Sequence, residues 1–141
     1  MIGSEKSTDL KEVLDTRFLR EYFYPSRAEI KEKAIRKLDT LITKNEGILP
    51  TIVIAEITQI TCEIRGKAMA ESRYQALIQS GIEIQNLTPI IAEYAGLYKS
   101  QCKNLPMGDC IIAATAVLNH AKILSDDPHF DHLSEVKRVW I

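Results

Sequence analysis

No apolar run in this sequence of 141 residues approaches the roughly 18 that a membrane-spanning helix needs, so no spanning segment is predicted. The opening stretch, MIGSEKSTDLKEV, has no apolar signal core, and the expectation is a protein that stays in the cytoplasm. Cysteine is scarce and unpatterned. Cys62, Cys102 and Cys110 show no Cys-x-x-Cys spacing, and an odd number without a secretory signal reads as reduced thiols. Cys62 and Cys110 fall in apolar helical runs, which predicts two small buried side chains. A dominant charge of one sign is missing too. The formal net charge is −1, so no global basic field points to nucleic acid, and any such contact has to be local. Repeats, low-complexity tracts and linkers are absent. What remains, 45% apolar and 26% charged residues, suits a single domain spanning 1–141 with a core of its own.

The patterns that are present alternate strand with helix. KEVLD (11–15) reads as a strand and FLREYFYP as a helix ended by Pro25. Residues 27–47 read as an amphipathic helix with Ile30, Ala34, Ile35, Leu38, Leu41 and Ile42 on one face and Gly47 as its stop. ILP (48–50) is a brief strand, Thr51 a cap for the next helix, and Gly66 that helix's end. A helix over about 68–79 and the strand GIEIQNL follow. Thr88 then caps a helix with Pro89 in its first position. The apolar helix beginning at MGDC, the strand KIL and a last strand VKRVWI complete the chain. Such alternation implies a parallel sheet with helices on both faces, and in such sheets ligands sit beyond the carboxyl ends of the strands.

The acids fall where that rule puts a site. Asp15 ends the first strand, Glu56 lies one to two turns into the helix after the second, Asp109 opens the most apolar helix, and Asp126 and Asp127 follow KIL directly. Each has an innocent role when taken alone. Asp15 can cap the helix at Thr16, Asp109 can complement its helix dipole, and Ser125-Asp126-Asp127-Pro128 can be an ordinary turn. Glu56, flanked by TIVIA and ITQI, is harder to dismiss. Together the acids change the balance, because two carboxylates about 4 Å apart repel by roughly 4 kcal/mol at an effective dielectric of about 20. A cleft holding four of them needs protons or cations. No lysine or arginine lies within the apolar segments, and Arg17 is the nearest in sequence. A divalent metal is the simplest partner, and all-oxygen ligands without a Cys or His cluster favour Mg²⁺ or Mn²⁺ over zinc.

At LDTRFL (14–19), PTIVIAEI (50–57), MGDCIIAATAVLNHAKIL (107–124) and SDDPHF (125–130) the sequence resembles the PIN-domain family, including its VapC-like toxin ribonucleases. These blocks keep the family's order and span nearly the whole chain, the last two being the most specific. The resemblance implies a three-layer α/β/α fold with a central, mainly parallel sheet of about five strands, homodimerisation, and metal-dependent cleavage of RNA. It assigns Asp15, Glu56, Asp109 and Asp127 as the acidic quartet that holds Mg²⁺ or Mn²⁺ and carries catalysis. Thr16 and Ser125 match the hydroxyl positions that support those acids, and Phe130 becomes a packing residue. Asp126 falls where the family varies and ranks below Asp127 as a supporting residue. Arg17 stands where Asn is frequent in the family. A small antitoxin protein is the implied partner.

The substrate needs a positive hold, for which Arg17 and Arg20 are the candidates, whereas Lys31, Lys33, Arg36 and Lys37 read as a solvated helix face. His129 and His132 read as turn and surface residues. A phosphoacceptor receiver domain also places acids and Mg²⁺ at strand ends. It needs an acid pair near the first strand and a lysine after a late one, where this chain has VLDT and KILSDD. A haloacid-dehalogenase-type phosphatase needs Asp-x-Asp, and residue 17 is Arg. The remaining alternative is a PIN-like scaffold that binds RNA or protein without cutting.

Overall fold

A computed structural model describes residues 10–141, and residues 1–9, most of the stretch read for a signal core, lie outside that description. Five strands, β1 (Glu12–Leu14), β2 (Gly47–Pro50), β3 (Glu83–Gln85), β4 (Lys122–Leu124) and β5 (Arg138–Val139), form one sheet in the order β3-β2-β1-β4-β5, every pair parallel. Helices α1 (Thr16–Phe23), α2 (Ala28–Thr43), α3 (Thr51–Arg65), α4 (Lys67–Gln79), α5 (Pro89–Gln101) and α6 (Met107–Leu118) complete a three-layer α/β/α architecture. Strand order reverses at β1, whose neighbours are β2 and β4. The crevice beyond the carboxyl ends of β1 and β4 is therefore the topological switch point, where sheets of this kind bind ligands.

The strands are short, but β1 and β4 are nearly or wholly buried and consist mostly of Val, Ile and Leu, as strands covered on both faces must be. Helix α6 is apolar all round because it packs against α5, α3, β1 and β4 at once, and Cys110 through Ala116 are all buried. Thr88 caps α5 as expected, its hydroxyl accepting from the Ile91 N–H at 3.3 Å with Pro89 in the first turn. Among the described residues no helix is long and apolar enough to cross a membrane.

Several local expectations are corrected. Gly47 does not end α2. Asn45, with φ 55°, turns the chain, and Gly47 opens β2, where a Cβ would stand 3.1 Å from Leu41 Cβ and 3.2 Å from Ile82 Cδ1. Thr51 is the first residue of α3 rather than its cap, because β2 stays paired through Pro50 and the strand runs straight into the helix. Ile35, expected on the buried face of α2, is 45% exposed, since Ile30, Ala34, Leu38 and Leu41 fill the narrower stripe that reaches the core. Cys62 is exposed as well. Val53, Ile57 and Thr61 carry the buried side of α3, and Cys62 lies off that line. The last strand shrinks to two residues at the sheet edge.

Candidate active site

The parallel register of β1 against β4 pairs Leu14 with Leu124, so the next residues, Asp15 and Ser125, leave the sheet side by side. Asp15 sits at the N-terminal boundary of α1, yet its side chain makes no capping hydrogen bond, which removes its innocent explanation. It is 2% exposed and accepts from the Ser125 hydroxyl at 2.6 Å through Oδ2. The same hydroxyl, fully buried, accepts the Asp127 N–H at 3.0 Å. One serine thus ties together the carboxyl ends of both central strands. Thr16 reaches across to α3 and donates to Glu56 Oε1 at 2.5 Å. The other Glu56 oxygen lies over the start of α6, where a Cβ on Gly108 would stand 2.5 Å from Oε2. Asp109, the next residue, is half-buried in the first turn of α6.

These placements bring Asp15, Glu56, Asp109 and Asp127 into electrostatic contact. Burial pushes the Asp15 carboxyl up to about 6 against the pull of the Ser125 hydroxyl, and repulsion from Glu56 and Asp127 adds to it. Burial likewise pushes Asp109 up to about 7, reinforced by Asp15, Asp127 and Glu56. Asp127 moves the other way. Burial raises it, but the backbone and ring of His129, with Arg17 behind them, outweigh that and hold it below the usual carboxylate range.

Asp126 points elsewhere. Its Oδ1 pairs with Arg17 Nε, and with Arg17, Arg20 and Tyr24 it lines a separate recess of about 300 Å³. Phe130 is fully buried. Two residues beyond the sequence reading join the site. His129 donates its backbone N–H to Asp127 Oδ1 at 2.9 Å and lays Nδ1 2.7 Å from the same oxygen. The signal was there: Asp-Pro-His favours an Asx turn, which brings the residue two further on back to the aspartate. Gly108 was legible as a glycine in the first turn of the most apolar helix, a placement that asks for a packing reason.

The donor set suits a hard divalent cation: carboxylate oxygens only, mutually repelling, with Arg17, the nearest guanidinium, paired through Nε with Asp126. Among the described residues no three His, Cys, Asp or Glu side chains are already gathered tightly enough to hold an ion. Glu56 is engaged by Thr16 and Asp127 by His129. In Glu56 and Asp127 the described side-chain hydrogen bonds fall on one carboxylate oxygen, while Asp15 is held by the Ser125 hydroxyl and by the Thr16 backbone.

A family model described as PIN domain matches residues 13–136. No curated protein sequence matches. Among solved structures, VapBC2 from Rickettsia felis, bound to a DNA fragment from its promoter, superposes with a TM-score of 0.75 at 16% identity, over 93% of this chain and 98% of that one. FitAcB from Neisseria gonorrhoeae gives 0.70 at 21% identity over 90% and 95%. VapC20 from Mycobacterium tuberculosis, a toxin that cleaves the sarcin–ricin loop, gives 0.71 at 13% identity over 86% and 94%. At these identities the likeness is one of fold.

Proposed function

The chain belongs to the PIN domain family, and from that premise we propose that it is a Mg²⁺- or Mn²⁺-dependent endoribonuclease, the toxin of a toxin–antitoxin pair. The observation that carries this reading is the convergence of Asp15, Glu56, Asp109 and Asp127 at the switch point, with burial and mutual repulsion raising Asp15 and Asp109. Those four residues would hold the metal. When bound there, it supplies Lewis acidity toward a phosphodiester oxygen and an attacking water. The chain's own groups supply the rest. Ser125, Thr16 and His129 each hold one oxygen of Asp15, Glu56 and Asp127, which would keep those carboxylates in place for a bound metal. One carboxylate positions the water and takes its proton. Arg17 and Arg20, beside the cleft, hold backbone phosphates of the RNA, and Asp126 supports by orienting Arg17. The partners on this reading are a small antitoxin, which would set a basic side chain against the acids, and a second copy of the chain. The setting is a cytoplasm that keeps the cysteines reduced.

The test is cleavage of a mixed structured RNA pool by purified protein with Mg²⁺, Mn²⁺ or EDTA. Cutting is expected with metal, should stop with EDTA and should return when metal is restored. No cutting with any metal, together with no Mn²⁺ binding by calorimetry, would sink the reading. Mn²⁺ binding without cutting would favour the RNA- or protein-binding scaffold instead. Gly108→Ala gives a finer check. The new methyl group displaces the flexible end of Glu56, while alanine is the better helix former. Metal affinity measured by Mn²⁺ calorimetry is expected to fall roughly tenfold with the melting temperature kept or slightly raised. Unchanged affinity would remove Glu56 from the ligand set.

A further inference from the structure

The 3₁₀ turn Pro128–His132 and the loop joining α5 to α6 enclose a second cavity, about 390 Å³, lined by Gln101, Lys103, Asn104, Leu105, His129 and His132. It begins where the acidic cleft ends, because His129 both lines it and holds Asp127. Its walls are fixed. Lys99 Nζ donates to the carbonyls of Lys103 at 2.7 Å and Leu105 at 2.9 Å, Leu105 is 1% exposed, and Phe130 anchors the turn from within the core. Inside those walls the functional groups are free. Among the described residues the side-chain amides of Gln101 and Asn104 and the Lys103 ammonium make no hydrogen bond, while the exposed rings of His129 and His132 lie 6.2 Å apart at 40°.

We infer that this cavity is the base-binding subsite for the nucleotide next to the scissile phosphate. The volume falls in the range of small-ligand pockets, about 300–1,000 Å³. Imidazole faces offer stacking surfaces for a splayed base, two amides offer paired donors and acceptors to its edge, and Lys103 offers a charge to an adjoining phosphate. Stacking combined with amide readout is how single-stranded RNA is recognised, so the sequence preference of cleavage resides here. This deepens the ribonuclease reading and rests on it.

The test reads binding rather than cleavage. The chain has three histidines, and His120, in the turn before β4 at the opposite end of that strand, serves as an internal control. Proton NMR at fixed pH follows the three imidazoles of the metal-free full chain. The probes are each of the four ribonucleoside 5′-monophosphates and, separately, inorganic phosphate. The His129 and His132 signals are expected to shift saturably with one base preferred, while His120 stays still. Asn104→Ala is expected to weaken the preferred nucleotide roughly tenfold. Three results would overturn the subsite: no saturable shift with any nucleotide, the same shift with phosphate alone, or an equal shift of His120. The two readings separate cleanly. Nucleotide binding in a protein that cuts no RNA would keep a nucleotide site here but remove the nuclease and, with it, the place beside a scissile phosphate, whereas RNA cutting without nucleotide binding would keep the nuclease and remove the subsite.

Discussion

Asp109→Asn is expected to stop cleavage and, in the metal-free protein, to raise the melting temperature. The two effects have one cause. Asp109 is an acid kept in the first turn of an otherwise apolar helix, facing Asp15, Asp127 and Glu56, with its carboxyl pushed from 3.8 up to about 7. A carboxyl raised on folding means that the native state holds a proton that the unfolded chain has released. Stability is therefore greatest below the unfolded value and is lost as pH climbs from about 4 towards 7. A shift of about three units would amount to roughly 4 kcal/mol for a fully buried group. Asp109 is only half-buried, and water screening reduces this to about 1–2 kcal/mol. Asparagine keeps the shape and removes the charge, so the metal-free variant should melt a few degrees above the parent at pH 7.5. The gap should close towards pH 5, where the parent is itself protonated. With Mn²⁺ the order reverses, because only the parent gains the linkage term, about 2.7 kcal/mol at a hundredfold excess over Kd. Cleavage should fall on the order of a thousandfold or more. Calorimetric melts at two pH values, with and without Mn²⁺, read all of this. A variant that melts lower than the parent without metal, or that still cuts RNA, would show that Asp109 is a helix-dipole residue and no more.

Much of this arrangement was legible because it is local. Asp15, Asp109 and Asp127 sit at element ends that hydrophobic runs and capping signals mark out, and parallel alternation alone says that such ends converge. Thr88-Pro89 announced α5 for the same reason. What stayed hidden depends on partners distant in the chain. Whether Gly47 stops a helix or opens a strand is decided by Ile82, 35 residues on, whose side chain fills the space of a Cβ. Whether Cys62 and Ile35 are buried depends on how wide a stripe of each helix its neighbours cover. Two adjacent acids, Asp126 and Asp127, look alike in sequence and part company in space, since Arg17, 109 residues away, claims the first. Gly108 required knowing that α3 would set a carboxylate against α6. Burial and charge pairing across elements are the parts of the fold that periodicity cannot encode.

The largest loss of stability should come from Phe130, a residue whose ring makes no polar contact with the acids. It is fully buried, one of the bulkiest side chains in the core, and lies three residues after Asp127 in the turn that carries His129 and His132. An aromatic ring meant for stacking on RNA would be exposed, so its work is packing. Phe130→Ala leaves a cavity under that turn and is expected to cost about 3–5 kcal/mol. That is a large part of the roughly 5–15 kcal/mol that holds a domain of this kind together. The melting temperature should fall by about 10–20 °C. Phe130→Leu, which keeps most of the volume, should cost far less. The ring holds the turn to the core, and backbone bonds within the turn, Phe130 N–H to the Asp127 carbonyl at 3.4 Å and Leu133 N–H to the Phe130 carbonyl at 3.1 Å, set its shape. Loosening the turn is expected to disturb the contact of His129 with Asp127, and with it the geometry of the cleft. Cleavage by Phe130→Ala, corrected for the folded fraction from urea melts, should therefore still fall short of the parent, and Phe130→Leu should recover most of the difference. Equal activity per folded molecule would show that Asp127 keeps its orientation without the turn. A stability loss below about 1 kcal/mol would mean that the core closes over the missing ring.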